Sequence, residues 1–329
     1  MKCKKAELHL HLDGSLRPES VIDIAKLEKI EIPSYNKDEV MKYLRVDNGN
    51  KDLVEYLKKF DVPCKVMQSR YSLTRVAYEL AEDLAREGYV YAEVRFAPQL
   101  HIKGGLSLDE VVEAVSEGLA QAMSEYDITC NLLLCILRHR PVETAWEVLE
   151  LAKRYFGQGV VGIDLAGDEK GYPSSLFNDI FKGAKEAGIP FTIHAGEALG
   201  AESIWEALKM GAKRIGHGIR AYEDRELMEY LRDNDIYLEC CPVSNYHTKA
   251  LADFKDYPLK EYLDYGLKIC LNTDNRTVSD TNYMREIEFL GDYTPLTEEE
   301  ICRLSENAVR GAFISDSEKL RLLKKLIID

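Results

Sequence analysis

The 329-residue chain contains no run of about 18 apolar residues, so no segment of it reads as a membrane-spanning helix. No basic stretch followed by an apolar core opens it, which predicts a cytoplasmic protein. Positive charge is in deficit: 43 Lys and Arg against 57 Asp and Glu leave −14 at pH 7. A surface of that sign argues against nucleic acid and anionic membrane as partners, since both need basic surface. None of the eight cysteines forms a Cys-x-x-Cys pair, and most lie in apolar runs such as LLLCIL and KICLN. They read as buried free thiols in a reducing compartment. A Pro/Ser-rich or low-complexity linker is also missing, so residues 1–329 are expected to form one domain.

What is present is a regular beat of strand and helix. Hydrophobic residues make up 46% of the chain, enough for a large core. Apolar segments predict strands at 6–11, 89–96, 128–137, 160–166, 189–194, 213–217, 236–240 and 267–272. Helical spacing fills the intervals, with capped starts at Ser107 and Thr297. Residues 32–69 read as a mainly helical insertion with a turn-rich piece at 52–59, and everything after the eighth strand reads as helix. Eight buried strands separated by helices predict an α/β protein. The architecture expected is a (β/α)8 TIM-type barrel with extra helices after strand 1 and at the C-terminus. Two doubly wound halves divided near residue 158 are the alternative.

The stretch AELHLHLDGSLRP, residues 6–18, carries the clearest chemistry. Leu8, Leu10 and Leu12 alternate with His9 and His11, so both imidazoles leave the same face of a strand. A half-buried strand with histidines on its polar face is the plain alternative. The other polar groups also fall where apolar strands run out: Asp164 to Glu169, His194 and Glu197, His217 between two glycines, and Asn272 to Asn275. Barrels of this kind place their chemistry at those C-terminal strand ends. Three imidazoles and a carboxylate suit Zn²⁺ or another first-row divalent ion, with a position left for water. Such an ion lowers the pKa of bound water to about 7 and supplies hydroxide near neutral pH. Glu197, three residues past His194, is placed to donate a proton; His217 is placed to orient the water or to stabilise the alkoxide formed on attack. The residues therefore predict metal-assisted hydrolysis or hydrolytic deamination.

Five segments in order, ELHLHLDGSLRPE, GIDLAGDE, TIHAGE, RIGHG and LNTDN, closely resemble the adenosine deaminase family, and the likeness runs over nearly the whole chain. The resemblance implies one Zn²⁺ per chain held by His9, His11, His194 and Asp274. It implies that Glu197 protonates purine N1 while zinc-bound hydroxide, assisted by His217, attacks C6. Gly167 would donate its N–H to N3, Asp13 would hold the ribose 5′-hydroxyl, and His11 would also face the substrate. The implied reaction turns adenosine or 2′-deoxyadenosine into inosine and ammonia in purine salvage, with a small purine nucleoside as the only partner. The sequence sets no oligomeric state, and a monomer is compatible with it.

Many family members carry a second Asp where this chain has Asn275. Purine N7 only accepts, so an Asn amide can donate to it as it stands, whereas a carboxylate must first be protonated. Relatives acting on free adenine tend to have Glu at the position of Asp13, so Asp13 favours a nucleoside. The alternatives are a deaminase of adenine or another 6-aminopurine, and a metal-binding barrel without catalysis. The His-x-Glu and Pro-Cys-x-x-Cys signature of other zinc deaminases is absent. Asp168, Glu169 and Glu239 read equally as partners that orient histidines or as solvated loop acids. His101, His139 and His247 fit no ligand geometry.

Overall fold

The computed structural model describes residues 3–47 and 49–327. Its strands are β1 (Lys5–His11), β2 (Tyr89–Phe96), β3 (Thr129–Leu137), β4 (Val160–Ala166), β5 (Phe191–Ala195), β6 (Arg214–His217), β7 (Tyr237–Cys240) and β8 (Lys268–Leu271). They form one sheet in sequential order, each pairing parallel with the next. A parallel bridge between Leu10 and Asp274 brings β1 back to the chain just past β8 and closes the circle. The fold is a (β/α)8 barrel. Two doubly wound halves would break the sequential order at a switch point, and no such break exists in this sheet.

Parallel strands covered on both faces read as continuous apolar runs, and all eight residues of β2 are buried. Two of these are Glu93 and Arg95, which share a face by the period of two. Their partners Arg214, Asp164 and Glu239 come from β6, β4 and β7, so that face looks into the barrel. Outside, the helices begin as the residue pattern dictates. Ser107 and Thr297 each close a reciprocal capping box with the Glu three residues on. Ser315 does the same with Glu318 for helix Asp316–Leu326, and Ser69 closes its box with Ser72 for helix Arg70–Arg86.

The insertion after β1 is helical, as expected, with helices Lys37–Leu44, Leu53–Leu57 and Asp61–Val66. The piece at 52–59 is not merely turn-rich: Asp52 caps helix Leu53–Leu57, and a 3₁₀ turn, Lys58–Phe60, follows it. Helix Pro242–His247 behind β7 was not evident in the sequence, being too short to show a period. One cysteine expectation is corrected. Cys3 and Cys302 form a disulfide, because the approach to β1 packs against helix Glu298–Gly311 although 299 positions separate the two residues. The other six cysteines are free thiols, all buried but the half-buried Cys64. No helix among the described residues is long and apolar enough to cross a membrane.

The seam between β1 and β8 is sewn by the Asn272 side chain together with backbone bonds past the strand end. Asn272 Oδ1 accepts from the backbone N–H groups of Leu8 (2.9 Å) and His9 (3.2 Å). Past it, Asp274 N–H donates to His9 O (2.9 Å) and His11 N–H to Asp274 O (2.7 Å). Replacing Asn272 by Leu strands two buried donors, each costing roughly 1–3 kcal/mol. Asn272→Leu is therefore expected to lose about 2 kcal/mol or more, read as a lower urea midpoint at unchanged slope.

Candidate active site

At the C-terminal rim of the barrel the ligating atoms of His9, His11, His194 and Asp274 all lie within 4.8 Å of one another. Nε2 of His11 faces Nε2 of His194 at 3.4 Å, and Asp274 Oδ1 stands 3.4 Å from Nε2 of both His9 and His11. Nδ1 of His9 meets Glu239 Oε2 (2.9 Å) and Nδ1 of His194 meets Asp164 Oδ1 (3.1 Å). Those bonds take the Nδ1 protons and leave both Nε2 lone pairs free. His9 Nε2 and Asp274 Oδ1 are buried with no hydrogen-bond partner. Two orphaned acceptors among converging imidazoles are what a cation would satisfy, so these four residues fit a metal. Burial pushes the His11 imidazole well below its usual pKa, which keeps it neutral and able to ligate.

Behind the histidines lies a fully buried ionic brace. Arg95 donates to Asp164 Oδ2 (2.9 Å) and to Glu239 Oε2 (2.8 Å), and Arg214 donates to Glu239 Oε1 (2.6 Å). Burial alone would raise the Glu239 carboxyl, but the two guanidiniums override it and hold it well below the usual range. Asp164 is lowered too: burial opposes this, and His194 and Arg95 prevail. Both carboxylates thus stay ionised and fix the tautomers of the histidines.

Glu197 sits beside this cluster, buried, with Thr248 Oγ1 donating to its Oε1 (2.9 Å) and its Oε2 3.5 Å from His217 Nε2. Burial pushes Glu197 up to about 8, with the charges of Asp274 and Glu169 adding to the effect. It is therefore mostly a carboxylic acid at neutral pH. Asn245 Nδ2 donates to His217 Nδ1 (3.1 Å), and Tyr257 O–H donates to Asn245 Oδ1 (3.2 Å), which fixes the amide's orientation. The His217 proton is thereby assigned to Nε2, on the cavity side. His217 (φ 62°) and Asp274 (φ 55°) both adopt the left-handed conformation that non-glycine residues rarely take.

A cavity of ≈ 780 Å³ opens over these groups, and every candidate residue except the deeper His9 lines it. Gly167, at φ 100°, lies on one wall. Asp13 and Asn275 lie on it as well, and each has a buried Oδ1 with no partner. Gly14 lets Asn275 approach, since a Cβ there would come within 1.9 Å of Asn275 Oδ1. Burial pushes Asp13 up to about 7. Of the residues left open, Glu239 orients His9, and Asp168 accepts from Gly171 N–H within its own loop. His101 is tied to Met67 O, while His139 lines the cavity. Arg95, Asn245 and Thr248 did not stand out in the sequence. Only Arg95 left a trace, as a cation inside an apolar strand.

The sequence pattern of the adenosine deaminase family matches residues 4–328. A relative named adenosine deaminase, from Clostridium botulinum (strain Langeland), is 43% identical over 328 residues, covering 99% of this chain and 97% of that one. Among solved structures, the adenine deaminase of Arthrobacter aurescens matches with a TM-score of 0.89 at 30% identity, covering 98% of both chains. The arabidopsis N6-mAMP deaminase matches with a TM-score of 0.85 at 30% identity, covering 98% of this chain and 96% of that one. With this barrel and these strand-end residues, the chain belongs to the adenosine deaminase family and is a hydrolytic deaminase.

Proposed function

We propose that the protein deaminates adenosine and 2′-deoxyadenosine, giving inosine or its deoxy form and ammonia, with one Zn²⁺ in the His9, His11, His194 and Asp274 site. Three imidazoles and one carboxylate are a donor set that zinc favours. When bound, the metal supplies a water acidic enough to act as nucleophile near neutral pH. The rest falls to the chain. Glu197, held as an acid, gives its proton to purine N1 and draws electrons from C6. His217 presents its Nε2–H to the oxygen arriving at C6. The Gly167 N–H faces N3, and the Asn275 amide can donate to N7 without prior protonation.

One observation carries the choice of substrate: the buried Oδ1 of Asp13, on the cavity wall without a partner. A ribose 5′-hydroxyl supplies the donor it needs. Free adenine would leave it stranded, and a 5′-phosphate would set negative charge against it. Adenine and N6-mAMP name the activities of the two solved relatives, so both substrate classes belong in the test.

The test is the ultraviolet change on deamination with adenosine, adenine and AMP in parallel. Adenosine is expected to turn over and the other two poorly; preferential turnover of adenine or AMP would reject the role of Asp13. Asp13→Ala is expected to lower kcat/KM for adenosine by about 10- to 100-fold, the worth of one hydrogen bond to a charged group. Glu197→Gln is expected to lower kcat by about 10²- to 10⁴-fold at unchanged zinc content. Chelation should silence the wild-type protein and zinc should restore it, whereas zinc should restore nothing to Glu197→Gln. Because the acid form of Glu197 does the work, activity should persist at neutral pH and fall as pH rises through about 8. Asp274, Glu169, His9 and His217 are titratable groups that face it.

A further inference from the structure

We infer that Glu169 is a positioning residue for the proton transfer, its carboxylate holding the turn that carries Glu197 in register with the wall that carries Gly167. The inference rests on Glu197 being the proton donor. β5 ends at Ala195, and the chain turns through residues 196–200 before helix Ala201–Met210. Four successive backbone N–H groups of that turn point at one buried carboxylate. Glu169 Oε1 accepts from Gly196 (2.7 Å), and Oε2 accepts from Glu197 (3.1 Å), Ala198 (2.5 Å) and Leu199 (3.1 Å). Ser203 Oγ adds a fifth bond, to Oε1, at 2.6 Å.

Successive N–H groups arranged this way form an anion-binding nest, and the start of the following helix adds its own partial positive charge. Here the anion is part of the protein. The turn has little freedom to form otherwise: Gly196 is at φ 71°, and a Cβ there would come within 2.6 Å of Ile204 Cδ1. Glu169 does not come from the same strand. It follows β4 by three residues and stands two residues past Gly167. One side chain therefore ties the loop after β4 to the turn after β5. In the proposed complex these two segments serve N3 and N1 of the same ring, so Glu169 sets the spacing between the N–H that steadies the purine and the acid that protonates it. The side chain of Glu197 is held by Thr248, so Glu169 fixes its place through the backbone, and its charge also helps to keep Glu197 an acid.

A displacement of about 1 Å in such a group can cost about 100-fold in rate. Glu169→Gln keeps the volume but turns an NH₂ toward N–H donors. It is expected to lower kcat for adenosine about 10- to 100-fold while zinc content and inosine affinity stay within about twofold. The decisive measurement is a double-mutant cycle with Glu197→Gln. With no proton donor left to place, Glu169→Gln is expected to cause no further loss of kcat in that background. A loss by the same factor in both backgrounds would show a merely structural role and overturn the inference, as would a wild-type kcat in Glu169→Gln. Should Glu169→Gln fail to fold, Ser203→Ala removes one bond of the nest, and a smaller loss confined to the Glu197 background is expected from it; equal loss in both backgrounds overturns the inference. A wild-type kcat in Glu197→Gln alone would instead reject the proton donor, and its positioning with it.

Discussion

The histidine cluster at the reactive end of this barrel depends on the guanidinium of Arg95. It is completely buried, an expensive place for a charge, and only paired, hydrogen-bonded partners make that tolerable. Those partners, Asp164 and Glu239, are the same carboxylates that hold the Nδ1 sides of His194 and His9. One cation thus sets the tautomers of two imidazoles on strands four apart. In this one cluster the guanidiniums of Arg95 and Arg214 stand among four carboxylates, those of Glu93, Asp164, Glu239 and Asp274. A cation held among the imidazoles would add positive charge where these carboxylates gather.

The same cluster takes part in closing the barrel. The last pair of strands could have met by backbone ladder alone. Instead Asn272 feeds its carbonyl to the backbone of β1, and the backbone of Asp274 bonds to His9 and His11. The closing contact and the candidate metal group therefore share His9, His11 and Asp274. A shift in register at the seam would carry Asp274 away from the imidazoles, so closure of the fold and assembly of the site are one event.

The strands and the strand-end residues were legible in the sequence for a physical reason. A parallel strand covered on both faces must be apolar along its length, so a His or acid at its end stands out, as at His194 and His217. What escaped notice depends on partners that no local pattern encodes. Arg95 meets its carboxylates 69 and 144 positions away. Thr248 caps a helix too short to show a period, and Asn245 lies within it. Glu169 remained ambiguous because four of its five donors are backbone N–H groups, which any residue carries. The Cys3–Cys302 pair is fixed by how the chain ends meet, and spacing alone does not give connectivity.

The strain in the backbone fits this picture. His217 and Asp274 take left-handed conformations that cost on the order of 1–3 kcal/mol each for residues with side chains. Both sit where a strand has just run out, His217 as the last residue of β6 and Asp274 three residues past β8. A strand fixes position well but allows a side chain only two directions, across the barrel or away from it. A left-handed residue at the lip breaks that alternation and turns the side chain toward the mouth. The rigid sheet below holds such a residue in place, which a loop of the same sequence could not do. Strand ends are thus the place where a protein can combine the accuracy of a sheet with the aim of a turn, and the site is built where both are available.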